Sequence, residues 1–349
     1  MKKTEEQEFS NSLLNLILLE SSSLLSIIGS LLIIVSYLLY KDIRTPSRHI
    51  IVCMSISDLV YSTVNFLDAY AKSPNHDVYS DLCVLSSFMG STAILWSFFW
   101  AVALSIFLNV LIVQKDPVFA DTLIHKVFHP VCWLIPLIIN VFALCFNKLG
   151  NTFDFVAPGW CWIEIKLNDV TGKVENRGDA IFWMTLNYKG IEILTYLTIA
   201  LMYLRIKCHL KDKIKNFENS ERKMSTFVSP KSVQAAKTTD RKLIFIPIML
   251  VLLRIWGTIR YILFIIQSKD GDMVHLRMSL ADKAFLCLQT VGDNLIGAVN
   301  CVLFCFLTPK VWNHLKESMS NMKSKLCCNK KQEIILDPDE KTKLISQSM

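Results

Sequence analysis

Residues 83–113 read CVLSSFMGSTAILWSFFWAVALSIFLNVLIV, a run with no charged side chain. About 20 residues at 1.5 Å rise suffice to cross about 30 Å of hydrocarbon as a helix, so this run spans a bilayer with length to spare. Six more apolar runs, 16–40, 49–71, 127–147, 180–207, 242–267 and 284–307, are also long enough to span, most of them with one or more charged residues inside. Lipid offers no partner for a backbone N–H or C=O, so such runs are helices. The expected fold is all-α: a polytopic membrane protein with a seven-transmembrane helix bundle over 16–307. A short N-terminus, 1–15, precedes it and a tail, 308–349, follows.

Composition agrees: 52% of the residues are hydrophobic and only 19% charged, too little polar surface for a soluble domain of this size. The formal charge of +7 is more informative by position. With the N-terminus outside, the inner segments 41–48, 114–126, 205–242 and 308–349 carry 24 of the 37 Lys and Arg, the outer ones 10. The positive-inside rule then places the N-terminus extracellular and the tail cytoplasmic. The basic excess is an orientation signal; no aromatic-interleaved basic stripe suggests nucleic acid. The first run follows the acidic Glu5, Glu6 and Glu8 and is too long for a signal-peptide core, so it is expected to stay as helix 1.

Of eleven cysteines, Cys83 and Cys161 lie at or beyond the outer surface and can bridge, with Cys145 and Cys287 as weaker competitors. Cys161 sits in Trp160-Cys161-Trp162, inside the long outer loop 148–179, which is expected to lie across the bundle mouth. The inner loop 208–241 is basic and rich in Ser and Thr, a composition open to kinases. After helix 7, Pro309 can start a short amphipathic helix in which Val311, Trp312, Leu315 and Met319 face lipid along the inner leaflet. Cys327 and Cys328 follow at palmitoylation spacing; two unmodified thiols are an equal reading.

Polar groups at membrane depth are expensive, so function is sought there first. Helix 2 carries Asp58 and Asp68, helix 5 Lys189 and Glu192, helix 6 Arg254 and Arg260, helix 7 Asp293 and Asn294. Counting 1.5 Å per residue puts Glu192 and Arg254 near mid-membrane, where they are expected to pair as a structural contact or a latch. Lys189, Arg260 and Asp293 fall higher, about 10–14 Å below the outer surface. With Asp68, Asn294 and Trp162 they are candidates for a pocket taking a small polar or zwitterionic ligand. Interhelical pairs that only hold the bundle are the other reading. Pro247 removes a backbone donor near the start of helix 6 and marks a weak point. Gly292 and Gly297 permit close packing or a bend in helix 7.

Catalytic signatures (His-Glu-x-x-His, Gly-x-Ser-x-Gly, a P-loop) are missing, which argues against an enzyme and implies no cofactor. His125 and His129 have metal-ligand spacing, but without a third ligand nearby in sequence they read as interfacial histidines, so no metal is expected. Lys283 lies at the outer edge of helix 7, leaving no internal lysine for a retinal Schiff base. The alternative function is a seven-span transporter or channel. It lacks support from internal repeats or paired broken spans.

Ser57-Asp58-Leu59, Trp96-Ser97-Phe98-Phe99-Trp100, Gly159-Trp160-Cys161-Trp162-Ile163, Asp240-Arg-Lys-Leu-Ile-Phe-Ile-Pro247, Arg254-Ile-Trp256-Gly-Thr-Ile-Arg260 and Gly297-Ala-Val-Asn300-Cys301 span most of the chain. On these the chain resembles the seven-helix G-protein-coupled receptors, in the group between the slime-mould cyclic-AMP receptors and the secretin-related class. The resemblance implies a Cys83–Cys161 disulfide. It also implies a plasma-membrane receptor whose inner surface engages a heterotrimeric G protein when helix 6 moves outward. Arg205, Lys237, Arg241 and Lys242 are the implied G-protein contacts, and the inner loop and tail would meet kinases and arrestin. Three family features are absent: an Asp/Glu-Arg-Tyr triplet after helix 3 (here Leu111-Ile112-Val113-Gln114-Lys115), Asn-Pro-x-x-Tyr in helix 7, and a large hormone-binding ectodomain. The ligand is therefore expected to be small, and cyclic AMP does not follow from the resemblance.

Overall fold

The computed structural model describes residues 12–71, 76–152, 160–166, 168, 174–221, 245–267, 279–306, 310–314, 316–317 and 320. Within them seven helical stretches follow in order. α1 is Leu13–Leu39 and α2 is Pro46–Ala71. α3 is His76–Asn109, closed by a π turn at Val110–Gln114. α4 covers Pro117–Cys145 with a π turn at Ile124–Phe128. α5 comprises Arg177–Met184, a π turn Thr185–Lys189 and Gly190–Glu221; α6 is Phe245–Gln267. α7 comprises Leu280–Asn294 and Ile296–Cys301, bent by 52° at the break.

Five of the helices are long and apolar enough to cross a membrane, and the bent α7 makes a sixth when its halves are taken as one span. α5, the remaining one, carries the buried ions Lys189 and Glu192. Its last part also replaces much of the expected inner loop: residues 208–221 are helical, because the charged Lys-Asp-Lys-Ile-Lys stretch suits a solvated helix as well as a loop. α4 likewise starts at Pro117, ten residues before the expected edge, with the Asp116 side chain accepting from the Phe119 N–H as its cap.

α1 shows why the bundle holds in lipid. Its buried stripe is Asn15, Leu19, Ser22, Ser23, Ser26, Gly29, Ser30, Ile33 and Ser36, while Leu24, Leu25, Ile28 and Leu31 face outward. Small residues inside let backbones approach where apolar burial gives no advantage over lipid. The bend in α7 uses the same stripe: the Gly297 N–H donates to Ser26 Oγ (3.0 Å). Toward the start of α1, Thr290 Oγ1 donates to Asn15 Oδ1 (2.8 Å).

At Gly292 the backbones of α6 and α7 lie close together. A methyl group there would run into the Leu253 carbonyl, backbone that cannot swing aside. Gly292→Val is therefore expected to push α6 away from α7 and lower the yield of folded protein, an overpacking cost of about 1–3 kcal/mol. Fluorescence-detected size exclusion after detergent extraction checks it; a monodisperse peak at parental height would contradict this packing.

Polar bonds also cross the bundle. Asp58 of α2 accepts from Ser97 of α3 (2.8 Å) and Asn300 of α7 (2.9 Å), so it serves packing between three helices. Beyond α7, His314 stacks on Tyr40 (4.4 Å between centroids) and meets Asp42 (Nε2–Oδ2 2.9 Å), tying the last helical segment to the α1–α2 connection. That hydrogen bond holds the Asp42 carboxyl below its usual range. Val311, expected to face lipid, is fully buried and packs into the core, while Trp312 is exposed. Leu315, Met319, Cys327 and Cys328 lie outside the described residues.

Candidate functional site

The Cys83–Cys161 bridge is formed, with Cα atoms 5.4 Å apart. It ties α3 to a two-stranded antiparallel ribbon, Leu149–Gly150 (β1) with Trp162–Ile163 (β2), paired Leu149↔Ile163 and Gly150↔Trp162. The Cys161 N–H donates to the Asp68 carboxylate at the end of α2 (3.4 Å). Asp68 thus anchors the loop. Trp162 is buried, donates through Nε1 to Asn187 (3.1 Å), and Asn187 donates to Asn140 of α4 (2.8 Å). Loop, α5 and α4 are thereby held together.

Beneath this loop lies a cavity with about 410 Å³ of empty space, counting its open mouth. Trp160, Cys161 and Trp162 form its roof; Tyr188, Lys189 and Asp293 bring its polar and charged floor. Tyr61, Asn65, Ser91 and Gln289 complete the polar lining. Of the candidate pocket residues, Lys189, Asp293 and Trp162 line the cavity. Arg260 lies behind Gln289, donating to its Oε1 (2.7 Å), and Asn294 lies behind Asn65, accepting from its amide (2.7 Å).

The floor rests on four buried ions that sum to zero. Lys189 and Glu192 are one pair, 2.7 Å apart. Arg254 and Asp293 are another, Nη1 to Oδ1 3.6 Å, reinforced by Arg254 Nη2 donating to the Asp293 carbonyl (3.1 Å). The expected direct pair of Glu192 and Arg254 is not made. Tyr188 stands between them: Arg254 Nη1 donates to its hydroxyl (3.1 Å), which donates on to Glu192 Oε1 (3.3 Å). Glu192 also accepts from Tyr196 (2.9 Å) and from Thr258 of α6 (2.8 Å), so its charge is well solvated by protein. The Arg254 guanidinium lies over the rings of Tyr61 (5.2 Å) and Phe98 (5.3 Å).

A π turn explains the altered pairing. The wide turn at Thr185–Lys189 brings Asn187, Tyr188 and Lys189 into the interior together. Gly190 closes it: a side chain there would meet the Thr185 carbonyl at 2.6 Å. Counting residues at a uniform α rise cannot anticipate this shift. Tyr61, Asn65, Tyr188 and Gln289 do not stand out in the sequence because neutral polar residues are common in spans; the one usable signal is Tyr188 four residues before Glu192, on one helical face.

At the opposite end of the bundle, Ser105, Leu108, Ile199, Met202, Tyr203, Ile206, Pro247 and Ile248 of α3, α5 and α6 line a second crevice, with about 240 Å³ of empty space. Arg205 is exposed nearby on α5. Pro247 falls in the first described turn of α6, on the wall of this crevice. Lys237, Arg241 and Lys242 lie outside the described residues.

A seven-helix bundle with a loop disulfided to its third helix over a central cavity is the architecture of seven-helix receptors. The solved structure of squid rhodopsin superposes with a TM-score of 0.61, covering 97% of this chain and 91% of that one at 14% identity, which establishes the fold. The chain matches the family described as slime mold cyclic AMP receptor over residues 2–221, and it belongs to that family. It is 28% identical to G-protein coupled receptor 157 of Homo sapiens over 294 residues, 84% of this chain and 81% of that protein. To cyclic AMP receptor-like protein A of Dictyostelium discoideum it is 32% identical over 145 residues, 41% of this chain and 35% of that one. It is a multi-pass membrane protein of a receptor family.

Proposed function

We propose that the chain is a plasma-membrane receptor, amino end outside, that converts binding of a small polar ligand in the Trp162-roofed cavity into nucleotide exchange on a heterotrimeric G protein. The observation that carries the reading is the Trp162–Tyr188–Arg254 relay. Trp162 packs edge-on against Tyr188 (5.2 Å), and the Tyr188 hydroxyl is bonded to Arg254 of α6. A ligand that displaces Trp162 or competes for Lys189 or Asp293 alters what holds α6. It shifts the bundle only if it binds the rearranged state more tightly. The crevice between α3, α5 and α6 at the far end is where a released α6 would admit a Gα segment, with Arg205, Lys237, Arg241 and Lys242 as basic contacts. The biased distribution of Lys and Arg supports this orientation.

Parallel dissociation sensors for every Gα class, in cells expressing graded amounts of receptor and exposed to broad tissue extracts, test the proposal. At least one class is expected to respond in proportion to surface receptor, and Trp162→Ala to change that response at unchanged surface level. Silence across all classes with confirmed surface protein would overturn it.

A further inference from the structure

The end of α2 near Pro46 and the start of the His129–Cys145 part of α4 bring three ligand-type atoms to one point. His49 and His129 face each other through Nε2 at 3.0 Å, and Cys53 Sγ lies 4.0 Å from His49 Nε2. All three atoms lie within 4.8 Å of one another. Zinc–nitrogen bonds of about 2.0–2.1 Å and zinc–sulfur bonds of about 2.3 Å at tetrahedral angles set ligand separations of about 3.3 Å (N···N) and about 3.6 Å (N···S). The observed distances bracket those values, so small side-chain shifts are enough.

The surroundings suit a ligand set. The Tyr37 hydroxyl lies 3.4 Å from His49 Nδ1, where a metal-bound imidazole places its remaining N–H donor. Trp100 packs edge-on to His129 (5.1 Å) and fixes the ring. Cys53 is buried and His49 and His129 half-buried, so the site is sheltered and still reachable. His125 lies one turn before His129, its ring 6.1 Å from that of His129 and 6.4 Å from that of His49. It is exposed, and the π turn Ile124–Phe128 that contains it is an irregularity of the kind found at functional sites.

We infer that His49, Cys53 and His129 form a Zn²⁺ site that staples α2 to α4 at the end of the bundle away from the disulfide. The donor set of two imidazoles and a thiolate suits Zn²⁺ among common divalent ions. The fourth position is left to water or to His125. On binding, both imidazoles coordinate in their neutral Nδ1–H form, and the Cys53 thiol gives up its proton to solvent, one proton per ion. In the competing account the 3.0 Å contact is only an N–H···N hydrogen bond, and Cys53 plays no part.

Purified full-length receptor in nanodiscs is titrated with Zn²⁺ against a competing chelator, and separately with Co²⁺. One Zn²⁺ per receptor is expected, with a thiolate-to-cobalt charge-transfer band in the Co²⁺ protein. Cys53→Ala, which removes one small atom and should fold, is expected to lose that band. His129→Gln is expected to weaken Zn²⁺ by more than the about 10–100-fold typical of an outer-shell change, and Tyr37→Phe by an amount within that range. Cys132→Ala serves as the control and should bind as the parent does. No Zn²⁺ bound by folded parent would overturn the site. So would a band unchanged by Cys53→Ala, which would assign the metal to other cysteines.

Discussion

Arg254→Ala is expected to remove most folded receptor from the membrane. The guanidinium is fully buried and answers Asp293, the Asp293 carbonyl and the Tyr188 hydroxyl at once. Truncating it leaves the buried Asp293 carboxylate without its cation. Breaking a buried pair from one side costs about 3–5 kcal/mol, against a total stability of about 5–15 kcal/mol for an ordinary domain. Arg254→Met combined with Asp293→Asn removes both charges and keeps the volume, so it should recover much of the loss. Thermal melting of detergent-extracted protein, with surface staining in parallel, reads both variants. A double variant less stable than Arg254→Ala would show that the two residues do not act as a pair.

Cys83→Ser carries the second large effect. The bridge closes a loop with a sequence separation of 78, and chain-entropy scaling assigns a closure of that length about 4–5 kcal/mol. Without it the roof of the cavity is tied down mainly by Asp68, the short β ribbon and Trp162. Surface expression should fall several-fold, and Cys83→Ser/Cys161→Ser should do no further harm, since one broken bridge is broken already. An unchanged surface level together with a count of titratable thiols that falls by one in Cys83→Ser, where freeing Cys161 from a bridge would raise it by one, would contradict the staple.

The seven helices are legible in the sequence because lipid imposes length and hydropathy on each span, and the charged residues inside them stand out for the same reason. The membership of the central cluster is therefore available from sequence: Lys189, Glu192, Arg254 and Asp293 are all in it. Their pairing is not, since it turns on a π turn at Thr185–Lys189 and on one neutral hydroxyl, Tyr188, that no charge pattern advertises. Depth alone assigns Asp68 to the pocket, yet its carboxylate faces the Cys161 amide, a long-range contact set by the disulfide. The partners of His129 are hidden likewise. His49 and Cys53 sit some eighty residues earlier, and only the packing of α2 and α4 against α3 brings them together.

The proposed signalling turns on α6 leaving α5 at the end opposite the disulfide. Spin labels at the exposed positions Arg205 of α5 and Phe245 of α6, in receptor with its other exposed cysteines replaced, report that separation by electron–electron double resonance. With purified heterotrimer and nucleotide removed, the distance distribution should shift to longer values and return when guanine nucleotide is added. A distribution that heterotrimers of every Gα class leave unchanged would contradict it.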